Sequence, residues 1–431
     1  GWISDRLSNR QAVQIYSCCN FGIAIFAVCS RFLFYDLLFL QGKSLAQSPA
    51  MMLAIVFVSL LIPTTLMGVS LPLVTKATSR HAKGAAARIG LLYGLNTLGS
   101  GLGTLVSGWY IIGTFGYEKT VYFGAILSTV VGIIAWSISR QVQPSHPVLV
   151  ASNTANESLR SRSLWQWCFL VFLSGFAAIS LEIIWFRVLD TVLQSIAYTY
   201  AHLLAFILVG NALGSIAGSA TIRFIPQPRK VFFAIQAGIA AYALISIWLI
   251  SIYQQSHPTD LRTDIGYIDL NNITSTVILR YVVIPAVMLV LPNFLLGFYF
   301  PLVQKAVQTE DSQIGQRVGF IQVANILGNT TGSLLTGLVL LDKFGTAGSL
   351  QFIAWLGLGF ALLCFNLRKD KLTSLLAIAL AVIIAVFPNN TRLWAALHGI
   401  PATQYFLAAE DSTGVAAVTE VNGQGTLLAS G

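Results

Sequence analysis

Residues 88–116 read RIGLLYGLNTLGSGLGTLVSGWYIIGTFG, and residues 317–345 read RVGFIQVANILGNTTGSLLTGLVLLDKFG. The two stretches match at a single spacing of 229 residues, at Arg88, Gly90, Asn96, Leu98, Gly99, Gly103, Gly108, Phe115 and Gly116 and at Arg317, Gly319, Asn325, Leu327, Gly328, Gly332, Gly337, Phe344 and Gly345. An upstream block matches at the same spacing, with Pro63, Gly68, Pro72, Leu73, Val74, Lys76 and Ala77 recurring as Pro292, Gly297, Pro301, Leu302, Val303, Lys305 and Ala306. So many glycine, proline and asparagine matches at one spacing predict an internal duplication.

The composition excludes a soluble globular protein. Apolar residues make up 55% of the chain and charged residues only 10%, and the mean hydropathy is +0.74. An α-helix needs about 20 apolar residues to cross a bilayer. Roughly eleven such runs are present, near 11–40, 50–77, 89–115, 119–139, 164–189, 197–220, 230–252, 277–304, 316–341, 346–367 and 371–388.

The sequence therefore predicts an all-α polytopic membrane protein made of duplicated six-helix halves, plus one further helix and the start of a soluble β-hairpin. The repeated blocks fall on the fourth and fifth helices of the second half but on the second and third of the first. We therefore expect two helices to be missing upstream of residue 1. The predicted segments are a first half over 1–140, a linker over 141–163, a second half over 164–368, an extra helix over 371–388 and a soluble start over 389–431.

The basic residues follow an alternating pattern along the predicted connections. One set of connections holds most of them, whereas the other holds only Lys43, Lys119, Arg262 and Lys343. Such an asymmetry places the basic set in the cytoplasm, and we predict an integral protein of a bacterial inner membrane whose tail lies outside the cytoplasm. The net charge of +9 thus indicates membrane topology and not a nucleic-acid partner.

Ionisable residues inside apolar helices are the candidate functional groups. Glu182 lies within an apolar run, where a charge is costly and should face the bundle interior. Arg187 follows five residues later, and Arg31 and Arg280 are alternative partners at similar depth. His202 on the next helix could join the cluster. Two interpretations stay open: a carboxylate that couples to a proton or cation, and an interhelical ion pair.

Small and amide residues recur on the duplicated helices. Asn96 and Asn325 are predicted to be equivalent buried amides that form hydrogen bonds between helices. The paired glycines allow close approach of helix backbones, which favours a packing role over a substrate path. These pairs are Gly99/Gly103 and Gly328/Gly332, with Gly210, Gly214 and Gly218 on another helix.

No sequence pattern in this chain predicts a catalytic, cofactor-binding or metal-binding residue. A P-loop, a zinc-protease motif and a nucleophile elbow are all missing from the sequence. None of the five cysteines belongs to a C-x-x-C pair, so a disulfide or a metal cluster is not expected. They are Cys18, Cys19, Cys29, Cys168 and Cys364.

Three stretches of the chain resemble membrane-fused spermidine synthase-like proteins. The first is Ser174-Gly175-Phe176-Ala177-Ala178 followed by Leu181-Glu182-Ile183-Ile184-Trp185-Phe186-Arg187, and the second is Leu92-Tyr93-Gly94-Leu95-Asn96-Thr97-Leu98-Gly99-Ser100. The third, Glu410-Asp411-Ser412-Thr413-Gly414-Val415-Ala416-Ala417-Val418-Thr419, is similar to the hairpin that opens the synthase domain in those proteins.

The resemblance implies a helical bundle like that of the major facilitator superfamily, fused to an aminopropyltransferase-like domain. That domain would bind decarboxylated S-adenosylmethionine and a polyamine, through residues outside this chain. The bundle would then anchor the domain in the lipid bilayer or handle a polyamine-like cation. A major facilitator-type transporter and a non-catalytic scaffold in a larger membrane complex are the alternatives.

Overall fold

The computed structural model describes residues 4, 6–41, 48–78, 84–142, 154–193, 199–257, 275–308, 314–364, 371–401, 403–421 and 424–430. The predicted linker falls partly outside these residues. Helix already begins at Thr154, so the linker is shorter than predicted. Most of the predicted loop between 252 and 277 also lies outside the described residues.

Long apolar runs form the helices, as their composition predicts. The first half contributes α1 (Asn9–Arg31), which continues as a π-helix over Phe32–Gln41, then α2 (Pro49–Thr78), α3 (Ala85–Val106) and α4 (Ile112–Gln141). The second half contributes α5 (Thr154–Leu193), α6 (Thr199–Thr221), α7 (Pro228–Ser256), α8 (Leu291–Val307), α9 (Ile314–Leu335) and α10 (Leu341–Cys364). Two helices follow, α11 (Lys371–Val386) and α12 (Asn390–Leu397).

Eight helices among the described residues are long and apolar enough to cross a membrane, so the chain is an integral membrane protein. They are Asn9–Leu38, Ala54–Thr78, Ala85–Gln141, Ser163–Leu193, Thr199–Phe224, Pro228–Ser256, Leu279–Val307 and Ile314–Leu363. A ninth span is formed if Ala377–Val386 and Asn390–Leu397, which are bent by 81° to each other, are counted together.

The sequence predicts eleven spans because two of these eight helices each contain two predicted ones. Ala85–Gln141 is 57 residues long and Ile314–Leu363 is 50, whereas about 20 residues suffice for one crossing. Each is kinked at a glycine with left-handed backbone geometry, Gly116 with φ 79° and Gly345 with φ 66°. A side chain is strained at such φ values, which explains the glycine at both kinks.

Local features of the two halves recur at the spacing found in the sequence. The kink glycines are 229 residues apart, and so are the π-helical turns Ser107–Ile111 and Thr336–Leu340. Arg88 donates to the Thr78 carbonyl at 3.1 Å, and the equivalent Arg317 donates to the Val307 carbonyl at 2.6 Å. The last turn of one helix is thus joined to the next helix in the same way in both halves.

The chain divides into two compact units, each described by itself. The first comprises residues 1–93, 105–164 and 307–320. Within it α1 packs against α4, where Ser17 donates a hydrogen bond to the Gly132 carbonyl at 2.6 Å. It also packs against α2 through a small cluster of Ala12, Cys19 and Leu73.

The second unit comprises residues 94–104, 165–306 and 321–431. Its helices approach closely at glycines. A methyl group added to Gly214 of α6 would overlap the Phe294 carbonyl of α8, and one added to Gly328 of α9 would overlap the Phe172 carbonyl of α5. Because no solvent-driven hydrophobic effect operates between helices in lipid, such close contacts provide the association energy.

A three-stranded antiparallel sheet ends the described chain, in the order β1 (Phe406–Glu410), β2 (Val415–Val421), β3 (Gln424–Ser430). The predicted hairpin corresponds to β2 and β3. The sequence analysis missed β1, whose short Phe-Leu-Ala-Ala-Glu run lacks β-branched residues. Glu410 ends β1, opposite Val415 on β2.

Candidate functional site at the C-terminal sheet

Glu182 and Arg187, the two charged residues predicted on α5, do not pair with each other. Glu182 is half-buried and forms no hydrogen bond or ion pair with any residue that the structure describes. Arg187 reaches the C-terminal sheet instead, where its Nε lies 3.4 Å from Oε1 of Glu410. The predicted alternative, an interhelical ion pair of Glu182, is therefore not present in the described part of the chain.

The other predicted cations have separate surroundings. Arg31 pairs with Glu118 on α4 at 2.6 Å, and both side chains are about half exposed. Arg280 is fully buried in the π-helical turn that precedes α8. His202 is buried on α6, and its Nε2 shares a hydrogen bond with the Tyr281 carbonyl. These residues therefore join neighbouring helices and do not form one cluster with Glu182.

The two equivalent asparagines differ in environment. Asn325 is half-buried beside α5, because a methyl group at Gly175 would lie 2.8 Å from its carbonyl oxygen and 3.0 Å from its Oδ1. Asn96 is exposed. The prediction that both amides are buried is therefore wrong for Asn96, whose side of α3 has no helix against it among the described residues.

Glu410 is the centre of the most elaborate polar site in the second unit. Its side chain is only 6% exposed, and that of Arg187 is 11% exposed. Oε1 accepts hydrogen bonds from the backbone N–H of Thr346 at 2.9 Å and from the Thr346 hydroxyl. Oε2 accepts from Nε1 of Trp394 at 3.0 Å. One carboxylate thus joins β1 to α5, α10 and α12.

The kink at Gly345 makes this arrangement possible. It interrupts α10, so the N–H groups of Thr346 and Ala347 begin a new helical segment and have no partner within the helix. Glu410 takes the first, and Oδ1 of Asn390 takes the second at 2.7 Å. The Asn390 amide also donates to the Phe344 carbonyl at 2.7 Å. A helix N-terminus favours a negative charge, which suits the Glu410 carboxylate.

Arg187 holds the turn between β1 and β2. One guanidinium nitrogen donates to the carbonyls of Asp411 and Gly414, both at 2.5 Å. The turn is internally braced, since Oδ1 of Asp411 accepts from the N–H of Thr413 at 2.7 Å, its hydroxyl at 2.6 Å and the N–H of Gly414 at 3.0 Å. Arg187 therefore meets a preformed pair of carbonyl acceptors.

The chemistry of the site is that of a structural joint. Both oxygens of Glu410 are occupied by donors, and its charge is balanced by Arg187, so the carboxylate is not available as an acid or base. A buried pair is costly unless its remaining hydrogen-bonding groups are satisfied. The surrounding Thr346 and Trp394 donors meet that requirement for Glu410.

Sequence reasoning selected Arg187 but missed Glu410, Thr346, Asn390 and Trp394. The available signal was the cost of a cation near the end of an apolar helix, which demands an acceptor. Only three-dimensional packing reveals that the acceptor comes from a strand more than 200 residues away. Comparison with models of protein families, with curated proteins and with solved structures gave no match to this chain.

Replacing Glu410 with alanine tests the joint. Removal of the carboxylate leaves Arg187 buried without its counter-ion, which costs about 3–5 kcal/mol for a buried pair. We expect the strand segments Phe406–Glu410 and Val415–Val421 to lose protection in hydrogen exchange by mass spectrometry. Glu420→Ala, on an exposed position of β2, is the matched control and should leave protection unchanged. Equal protection in the two variants would contradict the account.

The β1–β2 turn should depend on pH through Asp411. Hydrogen bonds from the Thr413 hydroxyl, and then from the N–H groups of Thr413 and Gly414, hold the pKa of Asp411 below its ordinary value. A lowered pKa contributes stability above the unfolded value of about 3.9, and the contribution is lost as pH falls through the folded pKa.

Exchange at the Thr413 and Gly414 amides, corrected for intrinsic rates, should therefore be constant near neutral pH and accelerate only under acid conditions below about pH 4. Asp411→Ala should show the faster exchange already at neutral pH. A turn in the wild-type protein that opens between pH 5 and 7 would contradict this assignment.

Proposed function

We propose that this chain is the membrane bundle of a duplicated protein, and that its second half holds the first sheet of a soluble domain at the non-cytoplasmic membrane surface. The observation that carries the proposal is the Glu410 joint. Three helical elements and one strand are joined through a single buried carboxylate, so the sheet is fixed to the helices and not merely tethered to them.

The placement of the sheet is supported by the charge pattern. Arg160 and Arg162 precede the span Ser163–Leu193, whereas Arg187 lies in its last two turns. With basic connections in the cytoplasm, the end of α5 that contacts the sheet is the non-cytoplasmic end. Lys371 starts α11 on the cytoplasmic side by the same rule.

Helix α12 fits a position at the membrane surface. It is bent by 81° from the end of α11, and Leu393, Trp394 and Leu397 are buried on one side while Arg392 is exposed. A short amphipathic helix of this kind is suited to lie along the boundary between the bundle and water.

Duplication of the two halves is supported by features that no general preference for helix would produce. The left-handed glycines, the π-helical turns and the arginine–carbonyl hydrogen bonds all recur at the spacing of the sequence repeat. We therefore infer two copies of one helical unit, and a bacterial inner membrane as their location.

Membrane topology is tested by labelling a single cysteine. Ser412 is exposed in the β1–β2 turn, and Ser412→Cys in a full-length protein without its native cysteines should react with a membrane-impermeant maleimide in intact spheroplasts. Gln227→Cys, in the short connection between α6 and α7, is the control and should react only after lysis. The reverse pattern would overturn the proposed side of the sheet.

The resemblance to membrane-fused spermidine synthase-like proteins extends the proposal to the soluble domain. We propose an aminopropyltransferase-like domain that begins with the sheet β1–β3 and takes decarboxylated S-adenosylmethionine and a polyamine. The purified full-length protein, given both compounds, is expected to form an aminopropylated product that mass spectrometry detects.

A folded full-length protein without transferase activity would leave two functions to distinguish. Glu182, half-buried and without a partner among the described residues, favours handling of a polyamine-like cation by the helices. Uptake of labelled polyamine into proteoliposomes that Glu182→Gln abolishes would support a major facilitator-type transporter. Absence of both activities would support a non-catalytic scaffold in a membrane complex.

A further inference from the structure

The two halves have the same small-residue faces, but only those of the second half are covered by helices. In the second half Gly297 of α8 packs on α6, because an added methyl group would overlap the Asn211 carbonyl. Its equivalent in the first half is Gly68 of α2. A methyl group there would meet nothing within 4 Å among the described residues.

The next helix of each half shows the same contrast. Gly328 and Gly332 of α9 pack on α5, where added methyl groups would overlap the Phe172 carbonyl and lie 2.6 Å from the Phe176 carbonyl. Their equivalents Gly99 and Gly103 lie on α3. Within the described part of the chain, neither has an atom within 4 Å of an added methyl group.

Exposure of whole helices agrees with these local contacts. In the three spans of the first half, at most 17% of the most apolar segment is buried, whereas in the five spans of the second half the share is 44–56%. The first half therefore has the helices that correspond to α7, α8, α9 and α10, but its counterparts of α5 and α6 are not among the described residues.

The opposite side of α3 shows that this helix can form a glycine contact. Gly94 and Gly101, on the side away from Gly99 and Gly103, pack on α6, where added methyl groups would lie 2.8 Å from Ile216 and 3.1 Å from Val209. Residues seven apart share one side of a helix. One side of α3 is thus occupied in the same manner as α9, while the side of Gly99 is open.

A lysine supplies a polar counterpart to the glycine contacts. In the second half Lys305 of α8 donates to the carbonyls of Ile222 and Ile225, at 3.0 and 2.7 Å, just after α6 ends. Lys76 of α2 is its equivalent and has no such acceptor among the described residues. A helix packed on Gly68 as α6 packs on Gly297 would bring its last carbonyls to Lys76.

We infer that Gly99/Gly103 and Gly68 are the docking faces of two transmembrane helices, equivalent to α5 and α6, that precede Gly1 in the same full-length chain. The first packs on Gly99 and Gly103 of α3. The second packs on Gly68 of α2, with its cytoplasmic end capped by Lys76. The inference concerns the packing of the first half, and it stands whether or not the soluble domain is a transferase.

Photo-crosslinking in the full-length protein tests this inference. A benzoylphenylalanine at Asn96, which lies on the side of Gly99 and Gly103, should crosslink in membranes to a peptide that precedes Gly1 in the same molecule. The matched control is the equivalent Asn325, which lies against Gly175 and should capture an α5 peptide with similar yield.

Two results would overturn the inference. Crosslinked dimers from Asn96 would show that a second copy of the chain covers this face. A productive Asn325 control with no peptide captured at Asn96 would show that the face is exposed to lipid. Because Asn96 is exposed, the substitution does not disturb a described contact, and the control reports on folding of the second half in the same protein.

Discussion

A carboxylate removed from water needs a cation and hydrogen-bond donors, and Glu410 obtains both from distant parts of the chain. Arg187 supplies the charge, and Thr346 and Trp394 supply donors. Each partner lies on a different helix, so the carboxylate can be satisfied only when α5, α10 and α12 are assembled around β1. The position of the whole sheet depends on this one requirement.

Backbone geometry at Gly345 links the joint to the repeated architecture. The same left-handed glycine occurs at Gly116, yet only the second copy is used to bind a carboxylate. The kink creates free N–H groups that a straight helix would have bonded internally. A structural feature of the repeat unit has thus become a binding site for the C-terminal segment in one half.

Much of the helical architecture could be predicted from the sequence because hydropathy and length determine which segments cross a membrane. The matched spacing anticipated the paired kinks and the Arg88 and Arg317 contacts. The division into separate spans at Gly116 and Gly345 could not be read as continuous helix, because a single left-handed glycine leaves no signal in hydropathy. Strand β1 was missed since alanine-rich segments carry little β-propensity.

The candidate site was only half predictable. Arg187 and Glu182 were selected because charge within an apolar helix is costly, but cost alone does not name the partner. Glu410 reaches Arg187 through the turn after α11 and the packing of Trp394, which are tertiary events. The exposure of Asn96, in contrast with Asn325, likewise depends on which helices are packed against α3 and cannot be deduced from equivalent sequence.

The central claim is that the Arg187–Glu410 pair fixes the sheet to the helices, and a double-mutant cycle measures it most directly. Arg187→Met, Glu410→Met and the double variant would be compared by the free energy of opening of β1 and β2 in hydrogen exchange. The account predicts that the double variant costs less than the sum of the single ones, with a coupling of about 1–3 kcal/mol. Additivity within about 0.5 kcal/mol would contradict it.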